Sequence, residues 1–370
     1  MKTQTAEQDF LAIKYSRNQD CLAFTQELKR RIDRYFIDNG ISKYGNAKVF
    51  LKQALFLFIF LTSYGLMLSG LFSPVWIFVL ALIFGLSHVL VVMNIAHDAA
   101  HNALFRNRKL NKIFSWTLEL TGLSHYFWKI NHNIIHHPYP NVAPIDSEIT
   151  IAIPFFRFTT YFKKAGLQRF QYLYAPILYL FFTMNLIIAR DFSDIRIIPK
   201  KTSQQVVKHF SFKFYLGFIL SKIFYFGYTL AVPLMVLNIA WWKILISYVV
   251  IHWIMSVFEL CIQLPLHINE HSPVVEMKEG GIIESNWALQ MLRSTTDYLP
   301  ESKLANFITG GINTHTIHHF YPGICHIHYI PLTRILNETS AEFNMPYQCI
   351  GWREGTISHF KRLKELALAS

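Results

Sequence analysis

Cysteine is scarce in this sequence, and no two cysteines stand in the CxxC spacing. The four are Cys21, Cys261, Cys325 and Cys349. The sequence therefore indicates neither a disulfide framework nor a thiolate metal site. A flavin or nicotinamide signature is also missing. No basic run is interleaved with a base-stacking motif, so we expect no nucleic-acid partner despite a net charge of +12.

Charged residues are few as well, at 16 %, whereas hydrophobic residues make up 52 %. A membrane-spanning helix takes about 20 apolar residues. Four runs reach that length, at 51–71, 75–96, 215–237 and 244–264, and a fifth at 171–189 is borderline. The first fifty residues are polar, so no cleavable signal peptide is expected. The sequence predicts a multi-pass membrane protein.

Basic residues are distributed unevenly along the chain. The segments 1–50, 97–213 and 265–370 hold 32 of the 35 lysines and arginines, which assigns them to the cytoplasm by the positive-inside rule. The other three cations lie at or near the ends of the apolar runs: Lys52, Lys222 and Lys243. We therefore expect nearly all of the polar mass on one side of the membrane, with short outer turns.

The predicted fold is all-α, with four transmembrane helices in two hairpins and a cytoplasmic helical cap that holds a two-metal site. One domain covers the chain, as a polar segment (1–50), a hairpin (51–96), a cytoplasmic segment (97–213), a second hairpin (214–264) and a second cytoplasmic segment (265–370). Basic residues flank the stretch 172–190 on both sides, so we expect an interfacial or re-entrant helix there. An ordinary fifth span is the alternative.

Histidines are clustered rather than scattered. The motifs are HDAAH (97–101), HNIIHH (132–137), HINEH (267–271) and HTIHH (315–319), all on the same predicted face of the membrane. The candidate metal ligands are His97, His101, His132, His136, His137, His267, His315, His318 and His319. Nine imidazoles exceed the needs of one ion, so two ions are indicated. Imidazole suits several transition metals, and spacing does not choose among them.

Spacing predicts which histidines share an ion. Residues four apart lie on one face of an α-helix, so His97 and His101 are expected to grip one ion, as are His132 and His136. A neighbour one position on points about 100° away, which lets His137 and His319 reach a different ion from the residues before them. Other histidines fall outside this spacing and are not assigned to the site: His125, His271, His326 and His328.

Three ionisable residues lie inside the predicted spans. His88 and Glu259 have similar depths, so a hydrogen bond between them is possible, with a plain helix-packing role as the alternative. His252 is shallower. Outside the spans, Asp98 follows His97 directly and is a candidate partner for the N–H of a neighbouring imidazole, with simple solvation as the alternative.

The three histidine boxes, in this order and separated by hydrophobic hairpins, resemble those of the membrane fatty acid desaturase superfamily. The words NIAHDAAHNALF, KINHNIIHHPYPN and GGINTHTIHHFYPGICHIHY are similar to the front-end, acyl-lipid and linoleoyl-CoA type enzymes. The resemblance implies a non-haem di-iron centre held by the box histidines, with His267 as the ligand that follows the last span. It also implies that the Gln263 side-chain amide holds a metal-bound water, and that O₂ is a co-substrate.

The sequence departs from that branch in three places. His315 stands where glutamine is usual, and Ile317 stands where an acidic residue is common. No HPGG haem-binding word of a fused cytochrome domain is found, so we expect electrons from a separate donor such as a ferredoxin or a b-type cytochrome. The expected substrate is a fatty acyl chain carried by a lipid, coenzyme A or a carrier protein, in contact with membrane lipids.

Other reactions and other classes remain open. The same oxidant serves hydroxylases, acetylenases and decarboxylases, which differ in how the substrate radical collapses. A membrane metal transporter is the alternative from another class, but transporters place their sites near the bilayer midplane. Here the box histidines lie outside the predicted spans, which favours an enzyme with its metal site on the cytoplasmic face.

Overall fold

The computed structural model describes residues 13–150, 155–201 and 210–369. Helices dominate these residues, and the strands form only two short parallel pairs: β1 (Lys14–Tyr15) with β4 (Ile282–Ile283), and β2 (Val142–Ala143) with β3 (Val275–Glu276). The α-helices are Gln19–Asp38, Ala47–Leu68, Pro74–Val91, His97–Ala100, Arg108–Ser115, Thr117–Leu120, His125–Trp128, Ser147–Thr150, Gln171–Tyr179, Phe182–Met184, Asp191–Lys201, Phe212–Phe226, Val232–Val236, Trp241–Gln263, Trp287–Ser294, Lys303–Thr309, His315–Phe320, Tyr329–Glu342 and Trp352–Leu368. Turns of π-helix occupy Val92–Ala96, Lys129–His136, Asn185–Arg190 and Gly227–Ala231, and turns of 3₁₀-helix occupy Gly166–Phe170 and His326–His328.

Within the described residues, four helices are long and apolar enough to cross a membrane, as the sequence predicts. They are Ala47–Leu68, Pro74–Ala100, Phe212–Val236 and Trp241–Gln263, called here spans 1 to 4. Spans 1 and 2 pack against each other, and span 4 packs against span 2. Gly85 of span 2 allows that second contact, because a Cβ there would lie 2.4 Å from the Ile251 side chain. The chain therefore has the architecture of a membrane protein.

The borderline segment forms a sharply bent helix pair. Gly166–Tyr179 and Phe182–Arg196 meet at 85°, a geometry that fits a re-entrant loop or a broken span. Thr183, just beyond the bend, donates or accepts hydrogen bonds with the Ser256 hydroxyl (2.9 Å) and His252 Nδ1 (3.0 Å) of span 4. These hydrogen bonds attach the bend to the middle of span 4, and they give His252 a hydrogen-bond partner in Thr183.

Of the two alternatives for His88 and Glu259, the hydrogen bond between them is not formed. His88 Nδ1 donates to the Phe84 carbonyl at 2.8 Å, and its Nε2 lies 3.1 Å from the Tyr228 hydroxyl. Glu259 instead accepts a hydrogen bond from Gln263 Nε2 at 2.9 Å. The two side chains do line one small cavity, of about 20 Å³, between spans 2 and 4. The prediction of similar depth in the membrane agrees with the structure, but each side chain forms its hydrogen bonds with nearer residues instead of with the other.

The short β2–β3 pair brings two distant histidine segments together. It joins the residues after the second box to those after His267. Asn141 strengthens this connection, because its side chain donates to the His267 carbonyl at 2.8 Å. The second box and His267 are therefore held side by side although more than a hundred residues separate them.

Candidate metal centre

The nine candidate histidines come together in one cluster, in which all are buried except the half-buried His101, His132 and His267. Two groups of four each have ligand nitrogens that all lie within 4.8 Å of one another. Group 1 is His97, His101, His132 and His318, and group 2 is His136, His267, His315 and His319. Each group draws on at least three separate segments of the chain. Such an arrangement requires the tertiary fold and is not a by-product of one helix.

Helical spacing holds for the first and third boxes. His97 and His101 fall in the same group, as do His315 and His319, four residues apart. His318 and His319 fall in different groups, as the 100° turn between neighbours predicts.

The second box contradicts the prediction from spacing. His132 and His136 lie in different groups, although they are four residues apart. The reason is local: Lys129–His136 is π-helical, and the His137 amide donates to the His132 carbonyl, five residues back. The wider turn of a π-helix, with hydrogen bonds between residues five apart, brings His137 close to His132. His132 Nε2 accordingly lies 3.2 Å from His137 Nε2.

His137 lies between the two groups. Its imidazole centroid is 4.5 Å from that of His101 and 4.5 Å from that of His318, both in group 1. It is also 4.4 Å from that of His319 in group 2. A ninth imidazole thus stands where two neighbouring ions would meet.

The donor atoms fit transition-metal ions. Within group 2, His267 Nε2 is 2.6 Å from His315 Nε2 and 3.1 Å from His136 Nε2. An ion that binds imidazole at about 2.0–2.1 Å brings adjacent ligand nitrogens to about 3 Å from one another. In group 1, His101 Nε2 and His318 Nε2 are buried and have no hydrogen-bond partner among the described residues. Buried polar atoms without a partner are costly unless something such as a metal satisfies them.

The cluster favours neutral imidazoles, the form that binds metals. Burial, with the neighbouring histidines, holds the pKa well below its usual range for His101, His132, His137, His315, His318 and His319. Burial also lowers the pKa of His267, to about 3. His136 differs: burial lowers its pKa, but the charge and hydrogen bond of Asp146 outweigh that effect and raise it.

Outer partners orient several of these rings. His136 Nδ1 donates to Asp146 at 3.0 Å, and that carboxylate is itself held by the amides of Asn141 and Glu148. His267 Nδ1 donates to the Ser294 carbonyl at 2.8 Å. Such contacts fix which nitrogen faces a metal. The sequence analysis missed Asp146, because it lies ten residues beyond His136 and outside any box.

Asp98 and Gln263 have partners other than the box imidazoles. Asp98 accepts a hydrogen bond at 2.7 Å from Nδ1 of His326, a histidine that the sequence analysis left out of the site. Gln263 donates to Glu259. Asp98 therefore does bind a neighbouring imidazole, but that imidazole belongs to neither group.

Trp128 is a further contact that sequence reasoning missed. Its half-buried indole packs against His132, with ring centroids 4.2 Å apart and the ring planes tilted by 32°. The same indole is 5.7 Å from His97 and 5.9 Å from His101. Its position four residues before His132, next to a histidine box, was the available signal. Trp128 forms an aromatic wall on group 1.

Comparison with known proteins agrees with this geometry. The family model for fatty acid desaturases matches residues 28–351. An sn-1 linoleoyl-lipid 6-desaturase of Synechocystis sp. is 27 % identical over 94 % of this chain and 96 % of its own length. An acyl-lipid (8-3)-desaturase of Mortierella alpina is 28 % identical over 93 % of this chain and 78 % of its own. The chain is therefore a member of the fatty acid desaturase family and an oxidoreductase of fatty acyl chains.

Proposed function

We propose that this enzyme introduces a double bond into an acyl chain of a membrane lipid, using O₂, two irons and electrons from a separate protein. The observation that carries the proposal is the pair of four-histidine groups, which matches two ions of the imidazole-binding kind. Group 1 and group 2 would each hold one iron, and His137 would serve the position between them. Two irons bound here supply the one-electron chemistry with O₂ that an unactivated methylene C–H bond requires.

Residues of the protein orient the histidine rings and exclude water from the metal centre. Asp146 and the Ser294 carbonyl fix the rings of His136 and His267, so that each presents Nε2 to its group. His136, His315, His318 and His319 are all at most 4 % exposed. Exclusion of water strengthens every polar contact at the centre and limits side reactions.

We place the acyl chain between spans 2 and 4. The small cavity there is lined mainly by apolar side chains, including Val89, Val92 and Met255. At about 20 Å³ it has room for about one water-sized group, so the two spans must move apart to admit the chain. Span 2 leads directly into His97, and span 4 ends at Gln263, four residues before His267. A chain held between these helices would approach both groups without entering water. Glu259 and Gln263, hydrogen-bonded to each other, form the polar end of this path.

A lipid-linked substrate is proposed from the relatives. The named enzymes from Synechocystis and Mortierella are described as linoleoyl-lipid and acyl-lipid desaturases. By similarity along nearly the full chain, we assign the same carrier here. The distribution of lysine and arginine supports a metal centre on the cytoplasmic face. The excess of basic residues on that face suits an acidic donor such as a ferredoxin or a soluble cytochrome.

Lipid analysis tests the proposal. Cells that express the wild-type chain should accumulate an acyl group with one additional double bond, located by mass spectrometry of intact glycerolipids and of free thioesters. The matched His318→Ala strain should not. A new hydroxyl group in place of the double bond would assign a hydroxylase, and a product confined to thioesters would refute the lipid carrier.

A further inference from the structure

Lys52 of span 1 is buried in the protein. The sequence analysis treated it as a cation at the inner end of a span, but it is only 8 % exposed. Its ammonium donates to Asn94 Oδ1 at 2.7 Å and to His326 Nε2 at 2.6 Å. It also donates to the Phe307 carbonyl at 3.3 Å. A lysine is almost never buried to this extent unless it is paired, so these contacts require an explanation.

One contact of Lys52 fixes an irregular turn of span 2. Asn94 lies within the π-helical turn Val92–Ala96, three residues before His97. Its side-chain amide donates to the Leu90 and Ile308 carbonyls, both at 3.0 Å, while its own carbonyl accepts from Gln53. Asn94 is therefore hydrogen-bonded to span 1, to span 2 and to the segment before the third box.

The π-helical turn decides where the first box points. The His97 amide donates to the Val92 carbonyl, five residues back, which places one extra residue in the helix. One residue corresponds to a rotation of about 100° for everything that follows. Without the extra residue, His97 and His101 would face away from His132 and His318, the other members of group 1.

The second contact of Lys52 reaches the residue beside His97. His326 accepts from Lys52 at Nε2 and donates from Nδ1 to Asp98 at 2.7 Å. Cys325 also donates to Asp98, at 3.1 Å. Since Asp98 follows His97 directly, this chain of hydrogen bonds connects span 1 to the first box through the segment that follows the third box.

The backbone at Gly310 also contacts the π-helical turn of span 2. Gly310 has φ +62°, and a Cβ on it would lie 2.1 Å from the Met93 carbonyl. The segment before the third box therefore rests directly on the π-helical turn. A side chain at this position would force the two apart.

We infer that Lys52 is a positioning residue for group 1: it holds the π-helical turn through Asn94, and Asp98 through His326, so that His97 and His101 face His132 and His318. The inference rests on the proposed function, in which group 1 binds an iron. A third metal bound by Asp98, Cys325 and His326 is the competing interpretation, because these residues could hold an ion. Their hydrogen bonds already satisfy one another, and the adjacent ammonium opposes a further cation.

The test is chelator resistance of the purified iron-loaded protein. Lys52→Met should lose the iron of group 1 at a chelator concentration about 10–100-fold lower than wild type does, the usual range for a disturbed outer partner. The iron of group 2 should be retained as in wild type. Mössbauer spectra of the partly stripped protein distinguish the two sites. Lys52→Gln, which keeps donors without the charge, should show a smaller shift in the same direction.

A second buried lysine provides the control. Lys222 of span 3 is 4 % exposed and pairs with Asp191 at 2.6 Å, with no contact to either histidine group. The double variant Lys222→Met with Asp191→Asn should alter the melting temperature without changing chelator resistance. The inference would be overturned if Lys52→Met lost iron equally from both groups, or if it retained iron as well as wild type does.

The proposed function can fail separately. If His97→Ala contains as much iron as wild type does, group 1 is not a metal site, and this result does not depend on the Lys52 variants. Three metals in the wild-type protein, one of them lost in Cys325→Ser, would instead establish the competing third site. If Lys52→Met does not fold, Lys52→Gln decides by the same criteria.

Discussion

His132 and His136 are four residues apart, yet they belong to different histidine groups. The π-helical turn Lys129–His136 separates them and brings His132 beside His137 instead. Pairs of substitutions therefore have different expected consequences. His132→Ala with His318→Ala removes two donors from group 1 alone and should leave about one iron per chain. His132→Ala with His136→Ala damages both groups and should leave less. Iron analysis of the two purified double variants measures the difference, and equal loss would contradict the assignment.

The third box offers a test within a single helix. His315 stands where the related branch has glutamine, so His315→Gln should keep measurable desaturation, lowered about 10–100-fold as for a perturbed metal shell. His318→Gln and His319→Gln should be inactive and should have lost iron. Product formation and iron content are measured in the three variants in parallel. Equal inactivity in all three would show His315 to be indispensable, and full activity with full iron in His315→Gln would remove it from the ligands.

Asp146 should control the metal affinity of group 2. Its carboxylate receives the His136 N–H at 3.0 Å and is fully buried. Asp146→Asn removes the charge that raises the His136 pKa, and we expect the affinity for iron to fall about 10–100-fold. Chelator titration of the purified protein provides the measurement. The control is Asp33→Asn, since Asp33 pairs with Lys29 on an exposed helix face where ion pairs contribute little. A similar effect of both variants would show the Asp146 contact to be unimportant.

Much of the fold could be predicted from the sequence. The four spans begin and end within a few residues of the predicted apolar runs, because long apolar segments leave few alternatives to a membrane helix. The nine histidines also gather as expected. The distribution of these histidines between two groups could not be predicted, because spacing arguments assume α-helical periodicity and the second box is π-helical.

Buried polar partners were the other part that sequence did not reveal. Lys52 and Lys222 were counted as cations near span ends, and His326 was left unassigned, yet all three are buried and hydrogen-bonded. Their partners, Asn94, Asp191 and Asp98, lie 31 to 228 residues away along the chain. No local pattern marks such pairs, since only the tertiary fold brings them together.

Sidedness remains a prediction, and labelling can check it. In a background without native cysteines, cysteines placed at Phe72 and Asn238 should react with impermeant reagents from outside the cell. Cysteines placed at Lys164 and Arg196 should react only from the cytoplasm, because basic residues flank the bent helix pair on both sides. Outer labelling at Arg196 would mean that the bent pair crosses the membrane, and the common face of the histidine boxes would then be lost.

The metal content of the wild-type protein tests the central claim most directly. Protein purified in detergent from iron-replete cells should contain about two irons per chain, since eight imidazoles in two groups, with a ninth between them, exceed the needs of one ion. Zinc acquired on overexpression counts toward the same total, because affinity alone does not select iron. Mass spectrometry of the metals, normalised to protein by amino-acid analysis, gives the number. Two ions per chain, both lost when His318 and His319 are replaced together by alanine, is the predicted result. A single ion in a fully loaded sample would contradict it.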